Sequence, residues 1–280
     1  MKKLAVILCL VLCFGLLVGC GAAKCTVEGC EGEAVEDAVF EKQFCAEHLA
    51  KKYCAIESCD EVAVEDDAYE DGYCKKHLAN KKAFDASKAA YESIEAAYEI
   101  TEKFGEDIYE AWRMGINEKD EIMDEGLGYL SAELNLTEEE LVEGMAYMWA
   151  VDVSGLDWDE LSEEDKESYR GMESLVFIMF EDDFFSMCVW MIDAAYEVNG
   201  MIETAETALN DAKSQMKTLS EEFSDYEHYP NLKGYYTTTS SFFDFCVNPT
   251  GSFEQVKTTI NDYRNEARDY ISDLDYIFEE

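Results

Sequence analysis

From Phe84 to Trp112 the apolar positions Phe84, Tyr91, Ile94, Tyr98, Phe104, Ile108 and Trp112 fall mostly at three-, four- and seven-residue steps, with charged residues between them. That period puts them on one face of a helix, expected to end near Gly115. Thr137-x-x-Glu140, ahead of Leu141 and Met145, is a capping box and predicts a short helix to about Ala150. Ser162-x-x-Asp165 opens another, with acids in its first turn where the helix dipole favours them. A helical run continues through Met172–Ile192 and past Gly200 toward Leu219, with Gly200 as its bend or break. Tyr235–Val247 and Phe253–Phe278 supply the last two helices, separated by the turn Pro249-Thr250-Gly251.

Leu175–Ile192 is apolar almost all round. Glu181, Asp182 and Asp183 at its centre make a membrane span expensive, so a buried central helix is preferred. Asp182 shares a row with Leu175, Ile178, Phe185, Val189 and Ile192 and is expected to face the core. We read it as a structural carboxylate paired with a Tyr, an Arg or a helix end, ahead of a ligand or proton site.

Composition agrees with helices. Only 2 of the 280 residues are Pro and 16 are Gly, too few for the turns of an all-β sandwich. Hydrophobic content of 48%, with 15 Phe, 17 Tyr and 4 Trp, argues against a disordered acidic chain. Against 22 Lys+Arg stand 63 Asp+Glu, a formal net charge of −41. Such a field repels phosphate backbones, and no basic patch relieves it, so nucleic-acid binding is not expected.

The beginning of the chain departs from this pattern. Met1-Lys2-Lys3 is basic, and residues 4–18 carry no charged side chain. Fifteen residues are short of the roughly 20 that span a bilayer and fit the apolar part of a secretory signal. The run closes on Leu17-Val18-Gly19-Cys20, which resembles the bacterial lipobox. That resemblance implies cleavage before Cys20 and a diacylglyceryl group on its thiol. The mature protein would then be lipid-anchored on the extracytoplasmic side of the cell membrane, with 20 basic against 63 acidic residues.

Six of the 11 cysteines form two matching sets. Cys25-x4-Cys30-x14-Cys45-x2-His48 recurs as Cys54-x4-Cys59-x14-Cys74-x2-His77, every position displaced by 29. The interior matches as well: Ala34-Val35-Glu36-Asp37 with Ala63-Val64-Glu65-Asp66, and Phe44 with Tyr73. Three thiolates and one imidazole make a closed tetrahedral zinc set, and the Cys-x2-His spacing lets one helical turn present both groups. Ala34–Phe40 and Val62–Tyr69 are expected as short hairpins between the ligand pairs. Units this small need a metal or crosslink to fold. Disulfides are the alternative outside the membrane, but three thiols per copy leave one over and give the histidine no task. The pattern resembles small Cys3His zinc-binding modules of the knuckle-plus-helix type. On that resemblance Cys25, Cys30, Cys45 and His48 hold one structural Zn²⁺, and Cys54, Cys59, Cys74 and His77 a second.

The expected fold is mainly α: signal peptide 1–19, lipidated N-terminus 20–24, zinc-stabilised modules 25–53 and 54–83, and an elongated acidic helical bundle 84–280. Other candidates are weaker. Residues 152–160 are acid-rich but lack the EF-hand glycine. Cys188 reads as core, with pairing to Cys246 left open, and His228 has no nucleophile pattern beside it. Trp112, Trp149, Trp158 and Trp190 read as core. The C-terminal region has the general look of helical lipoproteins of anaerobic Gram-positive bacteria, on composition and lipobox alone. No phosphate loop, serine elbow or His-Glu-x-x-His helix is present, so the expected role is non-catalytic: binding, scaffolding or sensing, with a cationic protein or peptide as partner. Zinc acquisition, buffering or sensing is one alternative, and a hydrolase with paired carboxylates near Asp182 or Asp193 another.

Overall fold

The computed structural model describes residues 23–69, 72–172 and 184–278. Residues 1–19, the lipidation candidate Cys20 and Asp182 lie outside them. The chain divides into two compact units between Lys82 and Ala83.

In the first unit, helix α1 (Ala46–Ala50) comes directly after Cys45, and α2 (Lys75–Asn117) directly after Cys74. The expected hairpins are reduced to isolated bridges, Lys24 with Glu33, Tyr53 with Val62 and Val64 with Tyr73. A local competitor explains this in the first copy. Asp37 Oδ1 accepts the N–H groups of Val39 and Phe40, each at 2.8 Å, and Tyr53 donates its hydroxyl to the same carboxylate. Those bonds curl the chain into an Asx turn where a strand would need it extended.

The backbone frame of one copy recurs in the other. Cys25 N donates to Gly32 O as Cys54 N does to Glu61 O, Thr26 N to Gln43 O as Ala55 N to Gly72 O, and Val35 N to Phe44 O as Val64 N to Tyr73 O. In the tight turn between the first two cysteines, Gly29 has φ 78° and its counterpart Ser58 has φ 68°. Glycine adopts that left-handed conformation freely, whereas Ser58 does so against its Cβ.

In the second unit, α2 buries Tyr91, Ile94, Tyr98, Phe104 and Ile108 of the expected stripe, together with Met114, while Phe84 and Trp112 at the ends of that stripe are only partly buried. The helix starts well ahead of Phe84 and ends at Asn117. After it come α3 (Lys119–Glu125), α4 (Leu127–Ser131), α5 (Glu138–Tyr147), α6 (Glu163–Arg170), α7 (Phe184–Val198), α8 (Met201–Glu222), α9 (Tyr229–Val247) and α10 (Phe253–Phe278). These complete the ten α-helices of the described residues. A single hydrophobic core joins α2 to α7, α9 and α10, and each fully buried Leu, Ile or Phe in it contributes roughly 1.5–3 kcal/mol.

Both helix starts read from capping patterns are present. Thr137 and Glu140 close a reciprocal box at the head of α5, and Ser162 Oγ accepts from Asp165 N at α6. Helix α5 gives way at Met148–Val153 to a widened π turn and does not continue regularly to Ala150. Gly200, φ 71°, separates α7 from α8. Helix α9 begins at Tyr229 and not at Tyr235, because Pro230 lies in its first turn, where a missing N–H leaves no intrahelical bond unmade. Helix α5 lies closely on α7: a Cβ built on Gly144 would stand 2.6 Å from the Ala195 Cα.

Among the described residues no helix is long and apolar enough to cross a membrane. Cys188 and Cys246 are free, buried thiols. Trp112, Trp149 and Trp190 pack against the core as half-buried side chains.

Candidate metal centres

Each copy builds its ligand set from the same local parts. The turn before Cys30 aims that sulfur back toward Cys25, and Gly32 N lies 3.4 Å from it. Cys45 caps α1, and Leu49 N returns to Cys45 O at 2.8 Å, which sets His48 one turn along on the same side. In the second copy Leu78 N bonds Cys74 O at 2.9 Å and carries His77 likewise.

These parts bring four ligand atoms together twice. In each set, Cys25, Cys30, Cys45, His48 and Cys54, Cys59, Cys74, His77, the atoms all lie within 4.8 Å of one another. His48 Nδ1 is 3.2 Å from Cys25 Sγ and 3.4 Å from Cys45 Sγ. His77 Nδ1 is 3.1 Å from Cys54 Sγ and 3.4 Å from Cys74 Sγ. The sulfur pairs Cys30–Cys45 and Cys59–Cys74 stand 3.8 and 3.9 Å apart.

Those lengths match the edges of a zinc tetrahedron. Zn–S bonds of about 2.3 Å and Zn–N bonds of about 2.0–2.1 Å put two sulfurs about 3.8 Å apart, and sulfur and nitrogen about 3.5 Å apart. A disulfide requires sulfurs about 2.05 Å apart, and all six thiols of the two sets are free. The two Cys3His groups are therefore positioned to bind metal.

The electrostatics differ within each set. Burial works against the Cys25 thiolate, yet hydrogen bonding from the backbone of Cys45 and Val27 and from the His48 and Cys30 side chains outweighs it. The thiol comes down to about 6. Cys54 reaches about 6 by the same balance, with Cys74, Ile56, His77 and Cys59 supplying the bonds. Cys30 goes the other way: the Gly32 N–H favours its thiolate, but burial and the neighbouring Cys25 and Cys45 sulfurs raise it. Cys59 is raised likewise despite the Glu61 N–H. Gathering the sulfurs without an ion thus sets them against each other, and a divalent cation removes that conflict by taking all three as thiolates.

A small aromatic packing supports the first set. Phe40 meets Phe44 and Tyr53 edge-on, both at 5.7 Å between ring centroids. Asp37 ties this packing to the turn, and burial is outweighed there by the bonds it accepts, so its carboxyl lies below the usual range. Asp66, its counterpart, accepts from Ala68 N at 3.1 Å and pairs with Lys82. The matching Glu-Asp pairs stand out in the sequence, but their task as turn locks shows only in three dimensions.

The remaining candidates scatter. Cys246 Sγ lies 3.8 Å from Thr101 O, and burial lifts the Cys188 thiol to about 12. His228 sits at the head of α9, 3.2 Å from Glu227. In the acid-rich segment, Asp157 Oδ1 caps Asp159 N at 3.0 Å.

The chain matches no protein-family model, no curated protein and no solved structure. The metal centres therefore rest on their own geometry.

Proposed function

We propose that this is a lipid-anchored protein of the extracytoplasmic face of the cell membrane. Two structural zinc ions hold its N-terminal modules, and an acidic helical body binds a cationic protein or peptide without catalysing a reaction. The pair of Cys3His sets carries this reading, since four protein ligands per ion leave no open position for a substrate. The apolar run 4–18 closing on Leu17-Val18-Gly19-Cys20 supports the anchor, with acyl chains such as palmitate on Cys20. The net charge of −41 supports a cationic partner, chiefly through encounter rate and specificity.

Metal analysis of protein purified without reductant is the first test, with two zinc per chain expected. Zero zinc and no free thiols in the modules would defeat it. Labelled palmitate should enter the full-length chain and be lost in Cys20→Ala, together with membrane attachment. Capture from a native surface at two salt concentrations tests the partner, because a charge-steered complex weakens as salt rises.

Zinc buffering or acquisition is the second reading. It is favoured by the partial exposure of Cys30, Cys45, His48, Cys59 and His77. Slow zinc release coupled to unfolding of the modules would decide against it.

A further inference from the structure

Between α2, α7 and the end of α9 lies a cavity of about 270 Å³. Trp112, Phe185, Val189, Trp190 and Val247 line it, with Asp193 as the one carboxylate among the described residues that line it. Trp112 and Phe185 stack at 5.9 Å with rings 11° apart, and Phe185 is 37% exposed, so the cavity is reached from solvent.

Among the described residues no hydrogen-bond donor faces Asp193. Its Oδ1 is buried and accepts no hydrogen bond. Burial, the Glu197 carboxylate one turn on and Asp152 from the π turn all disfavour its charge and push it up to about 6. Above that pH it is nonetheless ionised, an anion against aromatic walls with other anions behind it. A carboxylate so placed is costly to keep charged, and a cationic donor held in the cavity offsets that cost. Aromatic faces attract cations as well.

We propose that this cavity binds a small organic cation, a protonated primary amine on a flat apolar body, with the ammonium at Asp193 and the body against Trp112, Phe185 and Trp190. Its volume, at the low end for ligand sites, suits a body of one ring and a short stem. Anionic ligands meet repulsion from Asp193, Asp152 and Glu197, and neutral ones leave the Asp193 charge uncompensated.

The probe is phenethylamine added to the zinc-loaded full chain and read by tryptophan fluorescence, since two of the four tryptophans line the cavity. Phenethyl alcohol and phenylacetate keep the ring and stem and change the charge. Saturable binding is expected for the amine, at least tenfold weaker for the other two, and Asp193→Asn should bring the amine down to the level of the alcohol. Equal binding of amine and alcohol overturns the proposal without recourse to any variant. So does an amine that does not saturate, or one that binds Asp193→Asn as tightly as the native chain.

Discussion

Tyr196 donates its hydroxyl to the Asp107 carboxylate at 2.9 Å, joining α7 to α2 across 89 residues of chain. Asn135 completes the arrangement through its backbone N–H at 2.8 Å and its amide at 2.9 Å. Burial raises Asp107, and these three donors are what make its charge tolerable. Tyr196→Phe keeps the ring stacked on Phe104 and deletes one donor to a buried carboxylate. Urea unfolding should show a loss of about 1.5–3 kcal/mol. A change below half a kilocalorie would show that the hydroxyl contributes nothing.

The metal sets should respond one at a time. Cys45→Ser removes a ligand from the first set and Cys74→Ser from the second, and each variant should retain one zinc per chain by metal analysis. Chelation of the native chain should release both ions and abolish structure in the unit up to Lys82. The far-ultraviolet helical signal of the second unit should largely persist, because its core contains no metal ligand.

The left-handed turn offers a matched pair. Gly29→Ala places a Cβ where φ is 78° with open space around it, so its cost is purely conformational, about 1–2 kcal/mol. Ser58→Gly should relieve the same strain in the second copy, partly offset by the greater freedom of glycine in the unfolded chain. Zinc titration in a competing chelator should therefore weaken for the first variant and tighten slightly for the second.

Gly144→Ala tests the closest helix approach. The added methyl meets Ala195 backbone at 2.6 Å, which cannot yield as a flexible side chain would. Overpacking of this kind costs about 1–3 kcal/mol, and thermal unfolding should fall accordingly. An unchanged melting temperature would mean that α5 and α7 separate easily.

Asp193 should make stability fall as pH rises. Its folded value of about 6 exceeds the ordinary 3.8, so between them the folded chain holds a proton that the unfolded chain has released. The protonated form is favoured on folding, and its advantage is complete at low pH and lost as pH passes about 6. Glu197, Asp152 and Tyr147 face Asp193 electrostatically, and Cys246 shares its cavity. Asp193→Asn removes this dependence. From about pH 4 to pH 7 the native chain should lose on the order of 1–2 kcal/mol relative to the variant, allowing for solvent screening. Parallel curves for the two proteins would contradict the assignment.

Legibility in the sequence tracked how local each signal is. The Thr137 and Ser162 caps, the Gly200 break and the stripe from Tyr91 to Ile108 depend on neighbours within a turn or two, and all are present. The Cys3His sets were legible because metal coordination ties residue type to spacing. The hairpins failed because Asp37 satisfies the backbone by a turn that a β-pattern does not reveal. The sequence offers Asp193 only as half of a hydrolase's carboxylate pair, and its place among aromatic side chains comes from the packing of α2, α7 and α9 around it. The start of α2 lies ahead of the apolar run for a related reason: Lys75 to Lys82 carry no apolar period, and the helix there takes its beginning from Cys74.

That beginning links metal supply to helix nucleation. Fixing the first turn of any helix is its least favourable step, because several residues are immobilised for a single bond. Cys74 and His77 span that turn at the head of α2, so an ion held between them would immobilise it in advance, leaving the rest of the 43-residue helix only to propagate. In the first copy, Cys45 and His48 would start α1 the same way, and it stops after five residues at Ala50. One chemical device thus seeds both a helix of little more than one turn and the longest helix of the described residues. The segment beyond each ligand pair decides how far its helix grows.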